Sequence, residues 1–199
     1  MQLIAIDIGG TIEETWSHKT YWFKKNGYVL GDMPIGRVEV IKKTNCSVNF
    51  YLDMVKDVYS DENIMEHKLV HGVKDGLKEI SKVGKIILLS SRAQSKIDLT
   101  IKWLIKNEIR AYINDIIFLG DVGDKIEWCK DNKINYFIDD DIRHLYPEDI
   151  SLKFNRIWYY PSQGRECYMK EYFHICSSWK EISNFINLKL RYNDFQINK

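Results

Sequence analysis

Asp7 ends a short apolar run, Leu3-Ile4-Ala5-Ile6, and is followed at once by Ile8, Gly9, Gly10 and Thr11. A carboxylate held at such a point can attack phosphorus and form an acyl phosphate. Other groups suit the same chemistry. Ser90-Ser91-Arg92 and Asp139-Asp140-Asp141 each end another apolar run, and Lys125 lies between them. An anionic nucleophile meets an anionic phosphate only when charge is neutralised. Mg²⁺ held by Asp7 and by Asp139 or Asp140 would do this with oxygen ligands and retained waters. The Ser90 hydroxyl and the amides after it can hydrogen-bond phosphoryl oxygens, while the Lys125 ammonium balances charge in the transition state.

Such groups are far apart in the chain, so a fold must gather them. Four runs rich in β-branched residues read as buried strands: Leu3 to Ile6, Ile86 to Leu89, Ile116 to Leu119 and Tyr136 to Ile138. Arg156 to Tyr160 and Phe173 to Cys176 are a fifth and a sixth candidate. Helical spacing of Val73, Leu77 and Ile80, and of Ile97, Ile101, Leu104 and Ile105, flanks the second run. Strand then helix, repeated, predicts an α/β domain with a parallel sheet covered on both faces. Ligands bind beyond the carboxyl ends of such strands, which is where all four groups stand.

Residues 12 to about 70 break the rhythm. They are aromatic and lysine-rich, with turn signals at Asn26-Gly27, Gly31-Asp32 and Met33-Pro34, and read as an insertion packed over the sheet edge. Val48 to Tyr59 is helix-like, with Phe50, Met54, Val55 and Val58 on one face. No internal repeat or low-complexity tract is present.

The balance of 29 basic and 28 acidic residues gives a net charge of +1, so no whole-protein field favours nucleic acid or a membrane surface as partner. Cys46, Cys129, Cys167 and Cys176 lack the two-residue spacing of a zinc or redox motif and read as structural thiols of a reducing cytosol. The opening apolar run is too short for a signal peptide or a membrane span. The expected location is cytoplasmic.

In order and spacing the residues resemble the haloacid dehalogenase superfamily of phosphotransferases, closest in motif style to its small 5′-nucleotidase-like members. The first motif of that family is an aspartate after an apolar strand, one variable residue, usually a second aspartate, then Gly-Thr. Asp7-Ile8-Gly9-Gly10-Thr11 matches at all but one position. Ile86 to Ser90 looks like the second motif, Lys125 the third, Asp139-Asp140 the fourth, and Ser178 to Ile182 the closing helix. The resemblance covers residues 1 to about 142 and implies a Rossmann-like core at 1–11 and 71–190. It also implies a small, mainly helical cap at 12–70. The polar residues after about Leu190 read by themselves as a frayed tail, 191–199.

The same resemblance implies catalytic roles for Asp7, Ser90 and Lys125, and phosphate binding by Gly10, Thr11, Ser91 and Arg92. It implies Mg²⁺ as cofactor, with Asp7, Gly9, Asp139 and Asp140 as the metal set. Arg92 can equally pair with an acid such as Asp140. The expected activity is Mg²⁺-dependent phosphoryl transfer from a small phosphorylated metabolite, with a nucleoside monophosphate slightly favoured. Caps choose the substrate in this family, which makes Trp16, His18, Lys19, Tyr21 and Trp22 candidate contacts.

Gly9 is the departure. Most phosphatases of the family carry an aspartate there that protonates the leaving oxygen, help worth about 10² to 10⁴ in rate. Either the leaving group departs unprotonated, or a cap residue such as Glu13, Glu14 or His18 supplies the proton, or the protein binds a phosphorylated ligand without efficient turnover. Phosphonate cleavage would need a cap lysine, for which Lys19, Lys24, Lys25, Lys42 and Lys43 all qualify. A rival reading takes Asp-Ile-Gly-Gly-Thr as the phosphate turn of an actin-like, ATP-binding sugar kinase, which requires two similar domains.

Overall fold

A strand covered on both faces must be apolar at every position, and alternate side chains then feed two different cores. The computed structural model, which describes residues 1–31, 36–120, 123–146, 154–161 and 173–197, shows this directly. From strand β1 (Gln2–Ile6), Ile4 and Ile6 join one core while Ala5 joins the other. After β1 the chain makes a two-residue strand β2 (Glu13–Glu14). It continues through helices α1 (Trp16–Lys25), α2 (Arg37–Thr44), α3 (Val48–Val58) and α4 (Asp61–Glu66) to β3 (Lys68–Leu69), which pairs antiparallel with β2.

Strand and helix then alternate: α5 (Val73–Ile80), β4 (Gly84–Ser90), α6 (Ile97–Lys106), β5 (Asp115–Phe118), α7 (Lys125–Asp131) and β6 (Tyr136–Asp139). β7 (Asn155–Tyr159), β8 (His174–Cys176) and α8 (Trp179–Ile197) complete the order. The sheet runs β5-β4-β1-β6-β7-β8, parallel at every junction. All six expected strands form, with bounds within one or two residues of those read from the apolar runs. Among the described residues there is one large sheet and no second copy of it.

Ile86 and Leu88 of β4, Ile138 of β6 and Ile157 of β7 extend the Ile4–Ile6 core beneath α5, α6 and α8. Each such side chain contributes about 1.5–3 kcal/mol on leaving water. On the opposite face Leu89 and Phe137 pack with Cys129 of α7. Cys46, Cys129 and Cys176 are buried free thiols, and Cys167 lies outside the described residues.

α8 fastens the fold. Its first residue, Trp179, is buried, and its indole N–H donates to the Thr11 carbonyl at 2.9 Å. Gly76 of α5 lets it fit, since a Cβ there would lie 2.6 Å from the Trp179 ring. α8 runs as helix to Ile197, through most of the stretch expected to fray, because nothing after Ser178 breaks it: the sequence has no Gly or Pro there. Residues 198 and 199 lie outside the described set.

The insertion has a core of its own. Phe23, Leu30, Val40, Met54 and Val58 pack there, with Trp22, Phe50 and Val55 against them. The four α3 residues expected on one face therefore all meet this core. Ser47 and Ser60 cap α3 and α4 by accepting from the amides of Phe50 at 3.1 Å and Asn63 at 3.3 Å. Ile64 of α4 reaches instead into the core beneath the sheet. No helix among the described residues is long and apolar enough to cross a membrane.

Candidate active site

Register places the carboxylates. Ile6 pairs with Leu88 on one side and Ile138 on the other, so Asp7 and Asp139, each one residue further, emerge side by side at the same rim. The Asp7 N–H donates to the Ile138 carbonyl at 2.9 Å, which keeps that spacing past the end of β1. Asp7, Asp139 and Asp140 each bring an oxygen into a group whose members all lie within 4.8 Å of one another.

Lys125 fills the space between two of them. Its Nζ lies 2.5 Å from Asp7 Oδ1, 2.8 Å from Asp139 Oδ2 and 3.3 Å from His144 Nδ1. As the first residue of α7 it opposes the helix dipole, which costs about 0.3–1 kcal/mol at such a position. Asp124 restores the helix end by accepting from the amides of Ile126 at 2.7 Å and Glu127 at 3.2 Å. Lysine stands there for the carboxylates rather than for the helix.

Gly10 is required twice over. Its φ of +98° belongs to the left-handed region, and a Cβ would lie 2.2 Å from Asp140 Oδ2. With no side chain at 10, Asp140 reaches the Thr11 hydroxyl, which donates to Oδ1 at 3.1 Å. Ser90, the last residue of β4, is buried, and its Oγ accepts the Arg92 amide at 3.3 Å. Ser90, Ser91, Arg92, Lys125, Asp7 and Asp139 all line one cavity of about 680 Å³, a size suited to a small ligand.

Electrostatics show a deficit of positive charge. Burial raises the Asp7 carboxyl above its ordinary range, Lys125 lowers it, and Asp139 raises it again. Asp140 is pushed up to about 8 by burial first, then by Asp139 and Asp7. Burial would raise Asp139 as well, yet Lys125 and His144 outweigh it and hold that carboxyl at about 2. Burial would lower Lys125, but Asp139 and Asp7 keep it above the ordinary lysine value. Lys125 bonds Asp7 and Asp139 but not Asp140, which has only the weaker pull of Lys19, and an all-oxygen donor set with surplus negative charge fits a hard divalent cation.

The cap candidates divide. Trp16 and Lys19 face a second cavity of about 760 Å³ that shares Lys19 and Asp140 with the first. His18 instead lies tilted against His67, ring centroids 4.6 Å apart and planes at 48°. Tyr21 points to solvent, and Trp22 packs edge-on against Phe23 and Phe50. Arg92 pairs with the buried Glu13, a correction to the expected partner Asp140. Position 13 enters the core on the β2–β3 pair, where an unpaired carboxylate could not be left. The Glu14 carboxylate accepts the Ser17 amide at 3.0 Å.

His144 and Tyr59 belong to the site, although sequence reasoning gives neither a role. His144 follows Asp139 by five positions and its Nδ1 lies 3.1 Å from Asp139 Oδ2. That short spacing after an acidic strand end is the available signal. Tyr59, at the end of α3, lines the cavity beside Gly9, and no local pattern marks it.

Behind the cavity, His67 Nδ1 lies 2.9 Å from Glu13 Oε1, and its Nε2 is buried with no partner among the described residues. A second proton would have no acceptor. Burial, with Lys19 adding to it against Glu14, pushes the imidazole down to about 4. An unfolded histidine titrates near 6.5, so between about 6.5 and 4 the unfolded chain binds the extra proton. The His67 contribution to stability should be flat above about pH 7 and fall as pH drops through that window, while Asp140, raised to about 8, shifts stability the opposite way. Melting temperatures at pH 7.5 and 5.5 test this, and an unchanged difference in His67→Gln would refute it.

No protein-family model and no curated protein matches the chain. Solved structures do. A haloacid dehalogenase-like family hydrolase from Streptococcus pneumoniae is similar with TM-score 0.63 at 16% identity, over 94% of this chain and 98% of that one. A haloacid dehalogenase hydrolase from Bacillus subtilis, bound to magnesium, gives 0.58 at 12% identity over 94% and 98%. One from Deinococcus radiodurans, with bound phosphate and sodium, gives 0.59 at 11% identity over 92% and 93%. The shared feature is the fold.

Proposed function

We propose that this chain, built on the fold of haloacid dehalogenase-like hydrolases, releases phosphate from a small phosphorylated molecule through a covalent aspartyl phosphate at Asp7. The observation that carries the reading is the convergence of Asp7, Asp139 and Asp140 on one point with Lys125 between them. Asp7, Asp139 and Asp140 would hold the cation, Mg²⁺ by the hardness of the donor set, and when bound it neutralises charge between nucleophile and phosphate.

The chain's own groups do the rest. Asp7, fixed at a strand end and held by Lys125, presents a carboxylate oxygen to phosphorus. The Ser90 hydroxyl and the amides after it donate to phosphoryl oxygens, in a buried setting that strengthens each bond. Lys125, held fully protonated by its two carboxylates, supplies a fixed charge to the transition state. His144 steadies Asp139 from the other side.

A second reading, binding of a phosphorylated ligand without turnover, is favoured by Gly9, which has no proton to give. The two separate in one assay. The expected result is phosphate release from p-nitrophenyl phosphate that requires Mg²⁺ and stops when a chelator is added. Binding of inorganic phosphate with no release would support the binding-only reading instead.

A further inference from the structure

We propose that Tyr59 is the proton donor of this site, standing where other members carry a carboxyl group, and that phosphate monoesters of alcohols therefore fall within its substrate class. The inference rests on the phosphoryl-transfer reading above. A Cβ at position 9 would lie 2.5 Å from Tyr59 Oη and 3.2 Å from its ring carbon Cζ. A side chain at 9 could enter only if the phenol at 59 moved aside. Glycine at position 9 is thus the counterpart of the tyrosine.

The hydroxyl is both placed and uncommitted. Tyr59 closes α3 and lines the cavity that holds Asp7, Ser90 and Lys125. Its ring lies under the Arg92 guanidinium, 4.8 Å from the centroid, with His67 edge-on at 6.4 Å. Among the described residues its Oη makes no hydrogen bond, so its proton is free to move. Burial keeps the phenol protonated, Lys19 favours its anion, and Asp7 and Asp140 oppose that. Other acids are engaged elsewhere: Glu13 by Arg92 and His67, Glu14 by the Ser17 amide.

The step balances. As Asp7 bonds to phosphorus, the bond from phosphorus to the ester oxygen breaks. The electron pair stays on that oxygen, which takes the Tyr59 proton. An alkoxide, about as basic as hydroxide, takes a proton readily from a phenol whose ordinary pKa is about 10. The tyrosinate left behind faces the Lys19 ammonium. Water then attacks phosphorus and the bond to Asp7 breaks, its electron pair returning to the carboxylate. The tyrosinate takes water's proton and Tyr59 is restored.

Rates on p-nitrophenyl, phenyl and glycerol phosphate test the role, because the need for a proton rises along that series. Tyr59→Phe removes the hydroxyl and little else. Its loss on glycerol phosphate should exceed its loss on p-nitrophenyl phosphate by about 10²-fold or more. Equal losses across the series would overturn the proposal, as would a wild type active on p-nitrophenyl phosphate and inert to glycerol phosphate. A wild type inert to all three would instead overturn the phosphatase reading, and the donor with it.

Discussion

Asp7→Asn should slow phosphate release by about 10⁴-fold or more, with the protein still folded. An amide cannot form the acyl phosphate, and losing a nucleophile costs about that much or more in enzymes that work covalently. Folding should survive because the wild-type carboxyl is already a strained anion: burial raises it and Asp139 raises it further. Lys125 keeps Asp139 as partner at 2.8 Å. Steady-state rates on p-nitrophenyl phosphate, beside a thermal melt, give both readouts. A variant within tenfold of wild type would place the nucleophile elsewhere and sink the mechanism.

Lys125→Met should have the largest effect on stability. It removes the one ammonium lodged between two buried carboxylates, and breaking a buried pair from one side costs about 3–5 kcal/mol. For a chain of this length each kcal/mol is worth roughly 2–4 °C, so the melting temperature should fall by about 10 °C. Asp7→Asn in the Lys125→Met background should restore part of the loss, since it deletes one carboxylate left without a counter-ion. A drop below about 2 °C, or no recovery in the double variant, would show that the three groups are not held together in solution.

Both predictions concern residues legible in the sequence, for one physical reason. A parallel strand buried on both faces is a continuous apolar run, so its end is visible and a polar residue just beyond it is conspicuous. Asp7, Ser90 and Asp139 all stand out this way. Lys125 needs the resemblance as well, because a lysine on a helix is ordinary until its place against the dipole and between two acids is known. The helical cap is visible as a break in rhythm, and α3 as an apolar face.

What the sequence hides depends on docking between distant segments. The Arg92–Glu13 pair is set by a two-residue strand pairing too short to leave a pattern. Tyr59 meets Gly9 only because the end of α3 comes down over the strand rim, a contact that no spacing encodes. Gly9 itself is plain in the sequence, where it reads as a loss. Its meaning changes once the phenol is seen to fill the place.

The bond from the Trp179 indole to the Thr11 carbonyl joins groups 168 positions apart. Ribosomal synthesis runs from the N-terminus, so the loop that follows Asp7 is made 168 positions ahead of its brace. Until Trp179 has been added and α8 has docked, that loop lacks the bond that holds its Thr11 carbonyl.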